Sequence, residues 1–102
     1  MNKNDIYWAE IKYEDVDGEK TRPALVIGSS KDTVSVLKIT SQGSSSAHQY
    51  EIIEWEKAGL SRPSYISYEP KIILPAEMIG DRIGTLQSVD RLRFEMRLIE
   101  RL

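Results

Sequence analysis

The sequence predicts a mainly β (α+β) domain, in which a small, strongly bent antiparallel sheet or partial barrel is accompanied by one C-terminal helix. Three observations lead to this prediction. Short segments rich in β-branched and aromatic residues recur along the chain, turn-forming residues separate them, and only the last segment has the periodicity of a long helix. At 102 residues the chain is expected to be a single domain over residues 1–102.

The first half of the chain is predicted to contain three strands. Asp5 to Ile11 is aromatic and mostly apolar, which is typical of a strand. Pro23 to Gly28 is a continuous apolar run, which predicts a strand buried on both faces, and Thr33 to Ile39 is rich in β-branched residues. Turn chemistry predicts a loop over Lys12 to Thr21, and small residues predict another over Ser41 to Ala47.

The second half is predicted to contain shorter elements before its helix. Strands are expected at His48–Ile53, Ser64–Tyr68 and Ile72–Leu74, and helical turns at Glu54–Leu60 and Pro75–Ile79.

The last segment is predicted to be a helix with Ser88 as its N-cap and Asp90 in its first turn, where a negative charge is favoured. An apolar stripe predicts that one face packs on the sheet or on a partner chain. The stripe consists of Val89, Leu92, Met96 and Ile99, and is widened by Leu98 and Leu102. A second row, formed by Arg93, Arg97 and Arg101, is more typical of a solvated face than of a phosphate site.

Composition excludes several classes of protein. The chain has no cysteine and one histidine, which excludes disulfide scaffolds, thiolate zinc sites and histidine-cluster metal sites. Its net charge is −2, so no overall positive charge favours nucleic acid. Neither a signal peptide nor a membrane span is expected, and the chain is predicted to be cytoplasmic. His48, beside the serine-rich loop, is more typical of a solvated residue than of a catalytic one.

Two local features are candidates for a functional site. Arg22 stands where an acidic loop enters a buried strand, and its planar guanidinium matches the geometry of a phosphate. Ion pairing of Arg22 with Asp17 or Glu19 is an equally good interpretation. The segment Lys38 to Gln42 puts two hydroxyls and an amide at the end of a strand, where they either hold a phosphate or ribose oxygen or cap a turn.

Five segments, in this order, resemble the MazF/PemK family, the toxins of type II toxin–antitoxin systems. They are Asp5–Ile11, Thr21–Ile27 (the RPALVI signature), Lys38–Gln42 (an ITSQ-like strand end), Lys57–Ile66 and Arg82–Leu86. The resemblance extends from Asp5 to Leu102. No single motif is specific, but five in the right order indicate the family.

This resemblance implies an SH3-like antiparallel β-barrel of the CcdB/PemK type, with short helices and a C-terminal helix. It also implies a homodimeric, sequence-specific endoribonuclease, or mRNA interferase, that cleaves single-stranded RNA without a metal or another cofactor. The ribose 2′-hydroxyl would attack the adjacent phosphodiester and leave a 2′,3′-cyclic phosphate and a 5′-hydroxyl. A cognate antitoxin protein would be the second partner, and operator DNA would be contacted only through that antitoxin.

The match also assigns candidate roles to residues. Arg22 would take the phosphate and the acid role, and Thr40 would position the 2′-hydroxyl or a phosphate oxygen. Ser41 would assist Thr40, and Gln42 would contact the RNA more loosely.

The general base is the open assignment. The family often has an acidic residue before its arginine, which makes Asp17 and Glu19 candidates. Some members also carry an arginine and an aspartate in the strand that corresponds to Ser64–Glu69. Here those positions are Ser67 and Glu69, so Glu69 is a candidate for substrate binding, and Lys71 for the role of the missing arginine.

Two alternatives are non-enzymatic. One is a relative of the same superfamily, either a CcdB-like gyrase poison or a catalytically inactive protein-binding module. The other is an SH3-like adaptor with an aromatic peptide groove, although the aromatic residues are more typical of core and interface positions. The candidates for such a groove are Tyr7, Trp8, Tyr13, Trp55, Tyr65 and Tyr68.

Overall fold

The computed structural model describes residues 1–12, 19–41 and 48–101, a part of the chain that contains seven strands, one 3₁₀ turn and one α-helix. The strands are β1 (Asp5–Lys12), β2 (Glu19–Ser29), β3 (Thr33–Thr40), β4 (Gln49–Glu51), β5 (Tyr65–Ser67), β6 (Ile72–Pro75) and β7 (Ile79–Thr85). The 3₁₀ turn spans Ala76–Met78, and helix α1 spans Ser88–Glu100. Among the described residues, no helix has the length and apolar character that crossing a bilayer requires.

The strands form one antiparallel sheet in the order β4-β5-β3-β2-β1-β7. One edge of β3 is shared, because its first half pairs with β6 and its last two residues pair with β5. Within the described residues β4 and β7 do not pair with each other, so the sheet is open where a closed barrel was predicted. The prediction of a mainly β fold with a C-terminal helix is confirmed.

The central strand β2 is buried on both faces, as its apolar run predicted. Leu25 packs in a cluster that faces helix α1 and includes Phe94, whereas Ala24 and Val26 pack in a second cluster on the other face. The relative exposure of all three β2 side chains is 0%. Burial of this kind contributes about 1.5–3 kcal/mol for each large aliphatic side chain, so β2 anchors both layers.

Three elements differ from the sequence prediction. Strand β2 begins at Glu19 and not at Pro23, because β1 extends to Lys12 and pairs with it. The predicted helical turns at Glu54–Leu60 are hydrogen-bonded turns without a regular helix. Strand β7 was not predicted. The other predicted strands and the 3₁₀ turn are present, with β4 and β5 shorter than expected.

Two glycines let the turn before β5 approach β7 closely. Gly59 has a φ of +99°, and a Cβ atom there would meet the backbone carbonyl of Ile83. A Cβ atom at Gly84 would overlap the carbonyl of Ala58. This close approach fixes the path of the chain into the segment that follows, Leu60 to Ser64, which contributes to the cleft described below.

Helix α1 packs on the sheet through a face that includes Leu98 of the predicted apolar stripe but is centred on Phe94, which the stripe did not contain. Phe94 and Leu98 contact the core that faces the helix, and Asp90 is fully buried beside them. The predicted stripe at Leu92, Met96 and Ile99 points outward instead and is 55–68% exposed. The helix begins at Ser88 with Gln87 at the N-cap, so the predicted cap is displaced by one residue.

Asp90 joins the helix to the segment that follows β4. Its carboxylate accepts hydrogen bonds from the Tyr50 hydroxyl at 2.7 Å, from the Ile53 amide at 2.8 Å and from the Glu54 amide at 2.9 Å. Burial raises the pKa of Tyr50, and the hydrogen bond to Asp90 raises it further. Because the folded pKa is raised, the contribution of Tyr50 to stability is present below its unfolded pKa of about 10 and is lost as the pH rises through the folded pKa.

Candidate nucleic-acid interface

A cleft of about 450 Å³ lies where β2 begins and β3 ends. Arg22, half-buried on β2, lines it together with Ser41, which directly follows β3. Because β2 pairs with β3 in antiparallel orientation, the start of β2 and the end of β3 lie at the same end of the sheet. The sheet thus brings together Arg22 and the Ser41 hydroxyl, two of the residues that the sequence predicted.

The opposite wall of this cleft comes from the segment between β4 and β5. It contributes Leu60, Ser61, Arg62 and Ser64. The Ser64 hydroxyl donates a hydrogen bond to the Arg62 carbonyl at 2.8 Å, which orders the turn that presents the exposed Arg62 side chain. Arg62 therefore adds a second guanidinium to the lining of the cleft. It was not among the site residues predicted from the sequence, although it lies within one of the five family-like segments.

Thr40 lies at the end of β3, between Ile39 and Ser41, which both line the cleft. It is half-buried, and its backbone pairs with Tyr65 of β5. Thr40 is therefore adjacent to the cleft, although it is not among the lining residues.

The other candidates from the loops have different outcomes. Asp17 and Gln42 lie outside the described residues. Glu19 is the first residue of β2, where its backbone pairs with Lys12. Their assignments as base and substrate contacts stay predictions.

Glu69 is not part of the cleft. It follows β5 at the end away from Ser64 and lies 3.6 Å from Arg101 and 3.9 Å from His48. Because β5 runs from the cleft to Glu69 at about 3.3 Å per residue, this carboxylate and Arg22 are at opposite ends of the strand within one chain.

The arginine row of α1 has mixed roles. Arg101 pairs with Glu69 and lies 4.6 Å above the Tyr68 ring, which stacks on Phe94. All three arginines also line a separate cleft of about 610 Å³ beside β4. Burial raises the pKa of Tyr68, and the charges of Arg97 and Arg101 oppose this. Arg101 thus joins the end of the helix to the segment that follows β5.

Among the described residues, the aromatic candidates for an SH3-like peptide groove do not line one common cleft. Trp55 and Tyr68 pack against the core facing α1, and Tyr7 packs against the second core. Tyr13 lies outside the described residues. Trp8 is different, because it is 42% exposed and lines the cleft of Arg22.

The chemistry of the cleft suits a phosphodiester. Two guanidinium groups supply positive charge and forked hydrogen-bond donors, and Ser41 supplies a hydroxyl. Among the described residues no cluster of histidine, cysteine, aspartate or glutamate has the arrangement of a metal site.

Comparison with known proteins identifies one family. The model of the PemK-like, MazF-like toxins of type II toxin–antitoxin systems matches residues 2–102, nearly the whole chain. No individually curated protein matches the sequence.

Solved structures share the fold. The Mycobacterium tuberculosis toxin MazF-mt6 superposes with a TM-score of 0.77 at 21% identity, over 94% of this chain and 93% of that one. An endoribonuclease in complex with its cognate antitoxin, from a mycobacterial species, gives 0.76 at 13% identity, over 96% and 90% of the two chains. A further mycobacterial endoribonuclease gives 0.73 at 12% identity, over 96% and 86%.

Proposed function

Because the chain belongs to the PemK-like, MazF-like toxins of type II toxin–antitoxin systems, we propose that it is a sequence-specific endoribonuclease that cleaves single-stranded RNA in the cytoplasm. Two of the structural relatives are described as endoribonucleases, which supports this activity. The observation that carries the proposal is the cleft that Arg22, Arg62 and Ser41 line together, beside the exposed Trp8.

In the proposed reaction the ribose 2′-oxygen attacks the adjacent phosphorus, and the bond from phosphorus to the 5′-oxygen breaks. The 2′-hydroxyl loses its proton to a base, and the leaving 5′-oxygen gains one. The products are a 2′,3′-cyclic phosphate and a 5′-hydroxyl. Arg22 stabilises the negative charge that grows on the phosphate oxygens and donates toward the leaving group, and Thr40 with Ser41 positions the 2′-hydroxyl.

The direct experiment is incubation of the purified protein with single-stranded RNA in EDTA. Cleavage should persist, because guanidinium groups supply the positive charge. The fragments should carry 5′-hydroxyl ends that polynucleotide kinase labels without prior phosphatase treatment. Activity that vanishes in EDTA and returns with a divalent metal would contradict the mechanism. Absence of any cleavage would favour a non-catalytic member of the family.

The second part of the proposal is a symmetric dimer formed through α1. With 3.6 residues per turn, Leu92, Met96 and Ile99 lie on the side of the helix opposite Phe94 and Leu98. The inward side is already buried in the core, so the helix is apolar on both sides. An exposed apolar stripe of this kind is typical of an interface, and two-fold dimers are the commonest soluble oligomers.

Charges on this stripe should separate the dimer. The double variant Leu92→Glu/Met96→Glu should sediment as a monomer at micromolar concentration with an unchanged circular dichroism spectrum, because both side chains are exposed in the single chain. Ile73→Glu, at an equally exposed apolar residue of β6, is the matched control and should remain a dimer. A wild-type protein that sediments only as a monomer would contradict the interface.

We also propose that a cognate antitoxin covers the cleft, as one relative is described in complex with its antitoxin. An acidic segment of the antitoxin would place a carboxylate against Arg22 and Arg62, and would fold on binding. Bound antitoxin should then exclude RNA in a competition assay. Unchanged RNA affinity in the toxin–antitoxin complex would show that the two sites are separate.

A further inference from the structure

Trp8 is exposed without a structural reason in the single chain. It lies on β1, where its neighbours Ile6 and Ala9 are buried, and it pairs across the strands with Pro23. Its side chain is nevertheless 42% exposed, although a tryptophan ring is among the most favourable groups to bury. The other tryptophan, Trp55, packs against the core.

Trp8 stands on the ridge between two clefts of opposite charge. On one side is the cleft of Arg22 and Arg62. On the other is a cleft of about 550 Å³, where the charged lining residues that the structure describes, Glu10, Glu77 and Asp81, are all acidic. Trp8 and its neighbour Thr21 line both clefts.

This difference in charge orients a bound strand of RNA. The phosphates are attracted to the arginines and repelled by the carboxylates, so the backbone stays on the arginine side of the ridge. A base attached beside the held phosphate can then meet the exposed indole, which lines the same cleft, and the face of any base stacks on an aromatic ring.

We propose that Trp8 is the stacking platform for the nucleobase next to the phosphodiester held by Arg22. The inference rests on the proposed function and deepens it, because it assigns the base-binding part of that cleft. Stacking is tolerant of base identity, so Trp8 contributes affinity and position, and leaves the choice of sequence to other groups.

The test uses single-stranded RNA decamers with a 2′-fluorine at every ribose, which bind without being cleaved because no 2′-hydroxyl is present. Trp8→Ala should weaken binding by about 5- to 150-fold, the range for one stacked base. Trp8→Phe should retain most of the affinity. Ile73→Ala removes another exposed apolar side chain, on β6 and outside both clefts, and should have no effect.

A cycle with abasic RNA separates stacking from a structural effect. Removing the base at the stacked position should weaken binding to the wild-type protein but not to Trp8→Ala, since the partner is already missing. The dependence of affinity on salt should be unchanged in Trp8→Ala and shallower in Arg62→Ala, because only the arginine meets phosphate. In a Trp55→Phe background, RNA should quench the remaining Trp8 fluorescence.

Four outcomes would overturn the inference. The stacking role is excluded if Trp8→Ala binds RNA as tightly as Ile73→Ala does. It is also excluded if Trp8→Ala loses the same affinity, relative to the wild-type protein, whichever base of the decamer is missing. A Trp8→Ala protein that changes its oligomeric state shows that a second copy of the chain covers the indole. If the wild-type protein cleaves RNA and only Trp8 fails these tests, the proposed function stands, whereas a wild-type protein that neither binds nor cleaves RNA overturns both.

Discussion

Replacing Arg22 with alanine is expected to lower the rate of RNA cleavage by about 10²–10³-fold, the usual cost of removing a preorganised donor to a developing negative charge. This corresponds to roughly 3–4 kcal/mol of barrier. Arg22→Lys should not restore the rate, since an ammonium is a point charge and does not reproduce the two parallel hydrogen bonds of a guanidinium. Single-turnover cleavage of one RNA at saturating protein measures both variants.

Two other variants set the scale of this loss. Arg97→Ala removes an exposed arginine of α1 that does not line the cleft, and it should leave cleavage nearly unchanged. Thr40→Ala should have an intermediate effect, because one neutral hydrogen bond contributes about 0.5–1.5 kcal/mol. If Arg22 is only an ion-pair partner of the acidic loop, the result is reversed, and Arg22→Ala lowers the melting temperature while sparing cleavage.

The sequence predicted the strands whose side chains carry a strong pattern. The apolar run at Ala24, Leu25 and Val26 indicated burial on both faces, and the structure confirms it. Strand β7 lacks such a pattern, because it contains Gly80, Asp81, Arg82 and Gly84. Its strand structure comes from pairing with β1, where register shifts accommodate the irregular residues. A tertiary contact of this kind is not readable from local propensity.

The helix shows a second limit of periodicity. Two apolar sets recur along α1, and periodicity alone does not decide whether Phe94 and Leu98 or Leu92 and Met96 form the inward face. The choice depends on Asp90, whose buried hydrogen bonds fix the rotation of the helix. From sequence, an aspartate at this position indicates only a favourable charge in the first turn.

The candidate site could be predicted in part for similar reasons. Arg22 and Ser41 are adjacent to strands of clear pattern, so their meeting follows from an antiparallel pairing. Arg62 lines the cleft because of the path of the loop that carries it, and Trp8 lines it because its side chain is only partly buried. Neither the path of a loop nor partial burial can be predicted from local sequence. Glu69 was a candidate for substrate binding only because other family members have an acidic residue at the corresponding strand position. The direction of β5 carries Glu69 away from the cleft.

Loss of the buried carboxylate of Asp90 is expected to have the largest effect on stability. Asp90→Ala leaves the Tyr50 hydroxyl and the Ile53 and Glu54 amides without their acceptor. Removing one side of a buried, charge-assisted network costs about 3–5 kcal/mol of the free energy of unfolding. For a domain with about 5–15 kcal/mol in total, this is a large share, and urea titration followed by circular dichroism measures it.

Three further variants make this prediction specific. Asp81→Ala removes an exposed carboxylate of β7 and should change stability by less than about 0.5 kcal/mol. Tyr50→Phe removes one donor and should cost about 1 kcal/mol. The loss of stability in Asp90→Asn should lie between the losses in Tyr50→Phe and Asp90→Ala. The carbonyl oxygen of the asparagine can still accept two of the hydrogen bonds, whereas its amide nitrogen faces a donor.

The same variants connect the stability of the fold to the cleft. Asp90 holds the amides at Ile53 and Glu54, and the chain that continues from them carries Leu60 and Arg62 into the cleft. Asp90→Asn should therefore weaken RNA binding at a temperature where the protein is still folded, whereas Tyr50→Phe, which keeps both amide contacts, should not. Equal RNA affinity in Asp90→Asn and the wild-type protein would contradict this link, because the network would then stabilise the helix alone.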